Sequence, residues 1–246
     1  MLWTKDEISE VKGYFKTNIS EMTLYKKLYT LNPKRTYEAM MRQIRRMREE
    51  GYERSKTRLL KNLKIGYLDI EATNLNGNFG YILSWYIKPR NSKKYDCAVI
   101  KKSEIFNYDF DKRVVKELLQ AIKKYDVIYT HYGSDRRFDF PFIRTRAYIN
   151  NLEKELPEYM ETFIMDTYPI ARNKLKLNSN RLGTIAEALG IAEKKTPVSG
   201  IMWMKATAGD PKALSYVTKH NQLDVDILEK VHIKLEKVER PIYRSA

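Results

Sequence analysis

Two carboxylates alternate near the end of an apolar run, LDIEAT at residues 68–73. Alternate side chains of a β-strand share a face, so Asp69 and Glu71 are expected to point the same way, with Ile70 in the opposite layer. Carboxylates held side by side repel each other, and a cation between them removes that cost. The pair is therefore a candidate metal site, although many acid-x-acid pairs are simply solvated strand ends.

A third carboxylate follows the apolar segment 126–130. A polar turn leads there to Phe138-Asp139 at a predicted helix start. The helix dipole favours an acid at that position, which is a purely structural explanation for Asp139. The same position would also project a carboxylate beyond the end of a central strand, where ligands gather in open α/β sheets.

A fourth candidate group is the segment HNQLD, which begins at His220 and ends at Asp224. Residues four apart share a helix face, so the imidazole and the carboxylate would be neighbours. An imidazole with an ordinary pKa of about 6.5 can accept a proton from water. The alternative is a surface histidine and a solvated acid. Asp226 lies about 200° around the helix from Asp224 and is the weaker candidate.

The elements that must position these groups begin at Lys64. Three β-rich runs separated by turn residues predict antiparallel strands, and helices then alternate with strands, which indicates a mixed α/β domain over residues 64–240. The predicted strands are IGYLDIEA, YILSWYIKP, YDCAVIK, 126–130 and 161–166, and the predicted helices are 111–124, 139–150, 181–190 and 211–237.

Residues 1–52 predict a separate basic domain of three short helices. Thr4 followed by Glu7 is a capping-box pattern for a helix reaching about Phe15. A second helix spans about 20–30, with Leu24 and Leu28 on one face, and Asn32-Pro33 ends it.

Residues 53–63, which follow the domain, are predicted to form a basic linker. The third predicted helix is capped by Thr36. The apolar spacing of this helix predicts a core face, and its arginines lie largely on other faces. The core-facing residues would be Tyr37, Met40, Met41 and Ile44, and the arginines are Arg42, Arg45, Arg46 and Arg48.

Charge and composition limit the classes of partner and metal that this protein is expected to bind. The net charge is +15, and residues 1–64 carry 16 Lys and Arg against 8 Asp and Glu. Such an excess attracts polyanions, although an inert basic surface is the alternative. With one Cys and three His, carboxylate-bound Mg²⁺ or Mn²⁺ is favoured over structural zinc. A hydrophobic content of 43% excludes global disorder, and the lack of a signal or membrane segment predicts a soluble, cytoplasmic protein.

The N-terminal run, from WTKDEI to RQIRRMREEG, resembles Myb/SANT-like helix-turn-helix modules, with Trp3 as the one tryptophan in place. That resemblance implies that the third helix contacts DNA or RNA through Arg42, Arg45 and Arg46. A helical bundle that packs on the rest of the protein, or binds another protein, is the other interpretation.

The acids, in their order and spacing, resemble the four-acid (DEDD) signature of DnaQ-like 3′→5′ exonucleases, over about residues 64–237. The run DTYPIA from Asp166 and the following LKLNSNRLGTIAEALGI also resemble this superfamily. The similarity is greatest to predicted ribonuclease-H-like exonucleases related to polymerase proofreading domains. It implies a ribonuclease-H-like fold, two divalent cations, Mg²⁺ or Mn²⁺, and His220 as the group that orients or deprotonates water. The implied metal ligands are Asp69, Glu71, Asp139 and Asp224.

One departure concerns the base. In the histidine subclass of DnaQ-like exonucleases, the histidine that acts on water precedes the last acid by five positions. In the tyrosine subclass, the corresponding tyrosine precedes it by four. Here His220 precedes Asp224 by four. Either His220 replaces that tyrosine or its role is weaker. His131 would be a substrate contact or a structural residue, and Asp166 a structural one.

The expected partner is nucleic acid, with DNA favoured over RNA. Basic and polar residues near the acids are the candidate contacts, namely Thr73, Tyr132, Arg136, Arg137, Arg172, Lys174 and Lys176, with Arg181 nearby. A structure-selective endonuclease, a non-catalytic nucleic-acid-binding protein and a transcription regulator are the competing interpretations, since one fold hosts several functions.

Overall fold

The computed structural model describes residues 3–16, 21–50, 63–158, 161–193 and 197–239. The chain divides into two compact units, residues 1–63 and residues 64–246. Residues 53–62 of the predicted basic linker lie outside the described part of the chain. None of the described helices is long and apolar enough to cross a membrane.

The N-terminal unit contains three helices, α1 (Lys5–Lys16), α2 (Glu21–Leu31) and α3 (Tyr37–Glu49). The predicted caps are present: Glu7 N donates to Thr4 Oγ1 at 3.2 Å, and Ala39 N donates to Thr36 Oγ1 at 3.2 Å. Apolar side chains from all three helices meet in one core, formed by Val11, Tyr14, Phe15, Leu24, Leu28, Met40, Ile44 and Met47.

Tyr37 is an exception to the predicted core face. It is 38% exposed, and its hydroxyl donates to Glu21 Oε2 at 3.2 Å. Tyr37 opens α3 one turn before the first buried residue, Met40, so its ring lies at the rim of the core. Met47, which the spacing argument did not include, is buried in its place.

A buried ion pair ties α1 to the connection between α2 and α3. Arg35 donates from Nε to Glu7 Oε1 at 2.9 Å and from Nη2 to Glu7 Oε2 at 2.8 Å. The Arg35 guanidinium also lies 4.0 Å from the centre of the Trp3 ring. Hydrogen bonds from Arg35 are the main reason that the pKa of Glu7 falls to about 2. Glu7 is therefore both a capping residue and the buried anion of this unit.

The C-terminal unit is built on a five-stranded mixed sheet in the order β3-β2-β1-β4-β5. β1 is antiparallel to β2 and parallel to β4, and β4 is parallel to β5. The strands are β1 (Ile65–Ala72), β2 (Ile82–Pro89), β3 (Asp96–Val99), β4 (Val127–Thr130) and β5 (Phe163–Asp166). The predicted mixed α/β fold of the ribonuclease-H-like kind is confirmed.

Helices flank both faces of this sheet. They are α4 (Lys102–Phe106), α5 (Lys112–Ile122), α6 (Asp139–Ile149), α7 (Thr167–Lys174), α8 (Leu182–Ala188), α9 (Gly200–Thr207) and α10 (Pro211–Leu235). One face of β1 presents Leu68 and Ile70 to the core that includes α5 and α6. The other face contacts α10, where the Tyr67 hydroxyl lies 2.8 Å from His232 Nδ1.

Three helices escaped sequence prediction: α4, α7 and α9. They have five to eight residues each. A helix of one or two turns shows too few periods for an apolar stripe to stand out. Their positions are fixed by tertiary packing rather than by local patterning.

We expect Arg35→Met to destabilise the N-terminal unit by about 3–5 kcal/mol, because it leaves the Glu7 carboxylate buried without its cation. The contribution of ionised Glu7 is fully present above its unfolded pKa of 4.5 and is lost as the pH falls towards about 2. Hydrogen exchange of the α1–α3 amides in the full chain measures this stability. Arg48→Met, at an exposed position, is the control, expected within about 0.5 kcal/mol of wild type. Unchanged protection in Arg35→Met would contradict the assignment.

Candidate active site

The two acids of β1 lie on the face of the sheet that contacts α10. Asp69 and Glu71 are half-buried, whereas Ile70 between them is buried in the opposite layer, as the alternation predicted. β1 and β4 run parallel, with Tyr67 opposite Tyr129, so both strands end at the same edge of the sheet. The acids therefore lie where the loop after β4 begins.

Asp139 is brought to that edge as the first residue of α6, and it is 4% exposed. Its Oδ2 atom finds no hydrogen-bond partner among the residues the structure describes. Burial, followed by repulsion from Asp69 and Asp166, raises the pKa of Asp139 well above the usual range of an aspartate. A buried carboxylate oxygen that lacks a donor is a position suited to a cation.

Close packing around Asp139 explains one glycine. A Cβ atom on Gly133 would lie 2.1 Å from Asp139 Oδ2. Any side chain at position 133 would clash with the Asp139 carboxylate, so the site requires glycine there.

The long helix α10 supplies the remaining groups. His220 Nε2 lies 3.9 Å from Glu71 Oε1 and 3.7 Å from Asp224 Oδ2. Ligand atoms of Glu71, His220 and Asp224 all lie within 4.8 Å of one another. The predicted proximity of His220 and Asp224 is thus present, and Glu71 joins them from the strand.

The donor set fits a hard divalent cation. Glu71 from a strand and Asp224 from a helix bring carboxylate oxygens together beside His220, whereas Asp69 and Asp139 do not join that group. Oxygen ligands are those that Mg²⁺ and Mn²⁺ prefer. Asp69 and Asp139 repel each other at one side, while Glu71 and Asp224 flank His220 at the other. This arrangement can hold positive charge, and His220 is close enough to it to exchange a proton with a bound water.

Asn221 is a residue of the site that the sequence reasoning missed. It is completely buried, and its Nδ2 donates to Asp69 Oδ2 at 2.7 Å. It fixes the orientation of the first acid from the helix that carries His220 and Asp224. The available signal was its position three residues before Asp224, which places both on one helix face.

A second buried ion pair supports the loop that follows β1. Arg146 donates from Nη2 to Asp111 Oδ1 at 2.7 Å and from Nη1 to the Gly77 carbonyl at 3.0 Å. Asp111 Oδ2 also accepts from Ile82 N at 2.8 Å. The pair thereby joins the loop between β1 and β2 to α6, the helix that begins with Asp139.

Three polar residues that were weaker candidates for the site have partners within the fold. His131 Nδ1 lies 2.8 Å from Thr167 Oγ1, and its Nε2 lies 2.9 Å from the Asn180 carbonyl oxygen. Asp166 accepts from Tyr168 N at 2.9 Å and so caps α7. Asp226 pairs with Lys88 at 2.6 Å and does not join Glu71, His220 and Asp224.

The predicted nucleic-acid contacts fall into separate places. Thr73 Oγ1 accepts from Tyr81 N at 3.0 Å, Tyr132 is 49% exposed, and Arg137 is half-buried. Several others are exposed: Arg136 in the turn after β4, Arg172 and Lys174 on α7, and Lys176 and Arg181 after it. Arg42, Arg45 and Arg46 are exposed on α3, where Arg46 pairs with Glu50 at 3.0 Å.

Comparison with known proteins agrees with this architecture. Residues 66–236 match the family described as the RNase_H superfamily. The chain belongs to the RNase_H superfamily. A 110-residue segment is also 32% identical to a DNA polymerase of Methanocaldococcus jannaschii, covering 37% of this chain and 7% of that polymerase. The chain therefore spans a small part of that relative's length. Membership indicates nuclease-like chemistry on nucleic acids, for which superfamily members typically use divalent metals.

We expect Asp139→Asn to stabilise the metal-free protein by about 0.5–2 kcal/mol, because it removes a buried charge repelled by Asp69. The same change should suppress the rise in melting temperature on adding Mn²⁺, which for an intact site corresponds to about 2.7 kcal/mol at a hundredfold excess over Kd. Thermal unfolding with and without Mn²⁺ measures both effects. Asp109→Asn, an exposed acid, should change neither. A destabilised Asp139→Asn protein with a full Mn²⁺ response would rule out this assignment.

Proposed function

We propose that the C-terminal unit is a metal-dependent 3′→5′ exonuclease of the DnaQ-like (DEDD) kind. One observation carries the proposal. Ligand atoms of Glu71 on β1 and of His220 and Asp224 on α10 lie within 4.8 Å of one another, and Asp139 at the start of α6 is buried where Asp69 repels it. The order and spacing of these residues resemble the four-acid signature, and the chain belongs to the RNase_H superfamily.

In this proposal Asp69, Glu71, Asp139 and Asp224 hold two divalent cations, Mg²⁺ or Mn²⁺. Such a pair stabilises the attacking and leaving oxygens of an in-line displacement at phosphorus. His220 accepts the proton of the attacking water, and Asn221 keeps the Asp69 carboxylate in place. The water oxygen forms the new bond to phosphorus, and the 3′-oxygen of the preceding nucleotide leaves.

The buried position of Asp139 supports a cation at the proposed site. Its Oδ2 atom has no donor among the described residues, and Asp69 and Asp166 add negative potential. A cation that binds and exchanges supplies the charge and keeps the site open to phosphate.

The substrate is proposed to be DNA, with RNA as the alternative. The similarity of one segment to an archaeal DNA polymerase supports DNA. Thr73, Tyr132, Arg136 and Arg137 would contact the strand near the acids. Exposed cations on and after α7, namely Arg172, Lys174 and Lys176, would contact its phosphates.

The N-terminal unit is proposed to be a helix-turn-helix-like module, residues 1–52, joined by a linker at 53–63 to the nuclease at 64–240. Its third helix exposes Arg42, Arg45 and Arg46, while Met40, Ile44 and Met47 on the same helix are buried. A helix with one apolar face and one arginine-rich face suits contact with a phosphate backbone.

We expect the full chain to shorten 5′-labelled single-stranded DNA from its 3′ end in Mg²⁺ or Mn²⁺ and to be inactive in EDTA. Asp69→Asn should abolish the ladder, because it removes a proposed metal ligand, while Asp109→Asn should leave it unchanged. The same assay on RNA decides between the two polymers. Internal cuts that need Asp69 would indicate an endonuclease instead. Binding without cleavage under any metal would replace the enzyme with a non-catalytic nucleic-acid-binding protein.

His220→Ala should lower kcat by about 10²–10⁴-fold, the usual contribution of a general base, with little change in KM. Its Mn²⁺-induced thermal shift should persist, because the four carboxylates remain. Steady-state kinetics and thermal unfolding on the same preparation separate the two effects. Loss of the Mn²⁺ shift with KM raised would instead make His220 a metal ligand. Unchanged kcat would remove it from the mechanism.

A further inference from the structure

Two tyrosines and an arginine form a cluster directly after β4. The ring centres of Tyr132 and Tyr168 lie 4.9 Å apart at an interplanar angle of 72°. The Arg137 guanidinium lies 4.9 Å from the centre of the Tyr132 ring and 4.2 Å from that of Tyr168. The two rings therefore meet edge to face, each keeps its own flat, polarisable surface, and the guanidinium packs against both.

One carboxylate holds this cluster in place. Asp166 Oδ1 accepts hydrogen bonds from Tyr132 N at 3.0 Å and from Tyr168 N at 2.9 Å. Its Oδ2 accepts from Ser134 N at 3.1 Å and lies 3.4 Å from Arg137 Nε. Both tyrosine backbones are therefore anchored to the same buried group, and the rings also contact each other and Arg137.

The conformation of Tyr132 is unusual for its residue type. Its φ angle is 66°, in the left-handed region that glycine and asparagine occupy at lower cost. The ring is nevertheless 49% exposed and contributes little to the core. A strained backbone that presents a large aromatic side chain to solvent is typical of functional positions.

The cluster borders the proposed metal centre. Gly133, the next residue, is the one whose added Cβ would lie 2.1 Å from Asp139 Oδ2. Phe138 N donates to the Tyr132 carbonyl at 3.1 Å, which ties the tyrosine to the residue just before Asp139. The exposed Arg136 lies in the same turn and can contact a phosphate.

We propose that Tyr132, supported by Tyr168 and Arg137, is a stacking platform for an unpaired nucleobase of the strand that enters the site. This inference rests on the proposed function. Stacking needs only the flat face that every base has, so the platform would accept any sequence but would require an unpaired base. It would select single-stranded or frayed 3′ ends rather than intact duplex.

The test compares two 5′-labelled single strands of equal length and charge, one with ordinary bases and one with abasic residues at its 3′ end. Fluorescence anisotropy in EDTA measures binding by the full chain without cleavage. We expect the wild type to bind the ordinary strand about tenfold more tightly, within the range of base–aromatic stacking. Tyr132→Asn should remove that preference by weakening binding of the ordinary strand alone, since asparagine tolerates the left-handed backbone.

Two controls isolate the ring. Tyr132→Phe should retain the preference, because it keeps the aromatic face. Tyr148→Ala removes a tyrosine that is 63% exposed on α6 and should also retain it. Thermal unfolding of each variant establishes that it is folded, and Tyr132→Ala provides a second removal of the ring.

The outcomes separate this inference from the proposed function. The platform is overturned if Tyr132→Asn weakens binding of the ordinary and abasic strands equally. It is also overturned if the preference for the ordinary strand survives in Tyr132→Asn and Tyr132→Ala. Metal-dependent cleavage can stand in either case. A ring-dependent preference in a protein that cleaves nothing supports the platform and removes the exonuclease. Absence of binding to either strand by the wild type overturns the platform as well.

Discussion

The burial of carboxylates that repel each other is the physical constraint on which the candidate site of the C-terminal unit depends. At the end of the parallel strands β1 and β4, burial of Asp139, followed by repulsion from Asp69 and Asp166, raises the pKa of its carboxyl group. Such a cluster persists only where the surrounding fold is rigid enough to keep its members from moving apart. The central strands and the buried amide of Asn221 provide that rigidity, and Gly133 leaves room for the Asp139 carboxylate.

Buried ion pairs hold the elements that carry these acids. Asp111 and Arg146 join the loop after β1, the start of β2 and α6, so the strand bearing Asp69 and the helix bearing Asp139 are tied together behind the site. In the N-terminal unit Glu7 and Arg35 perform a similar task for three short helices. In each pair the charge is neutralised internally by hydrogen-bonded contact. The sheet edge differs, since Asp139 Oδ2 is buried there with no hydrogen-bond partner among the described residues.

Asp166 links the proposed metal centre to its surroundings in a different way. The carboxylate adds negative potential at Asp139, and it also anchors the backbones of Tyr132 and Tyr168. A single acid thus contributes to the electrostatics of the proposed centre and to the placement of the aromatic cluster beside it. Asp166, which touches neither reacting atom, would then set the position of the base-binding tyrosines relative to the proposed metal centre.

The sequence by itself determined the mixed α/β architecture, the caps of Thr4 and Thr36, the shared face of Asp69 and Glu71, and the proximity of His220 to Asp224. Each follows from a local rule of strand alternation, capping or helical spacing. Only the tertiary structure decided the roles of Glu7 with Arg35, of Asn221 with Asp69, and of Asp166 with both tyrosines, because these contacts join residues distant in sequence. The tertiary structure also places Tyr37 at the rim of the N-terminal core and shows the short helices α4, α7 and α9. Local patterns specify which side chains share a face, whereas packing decides what that face meets.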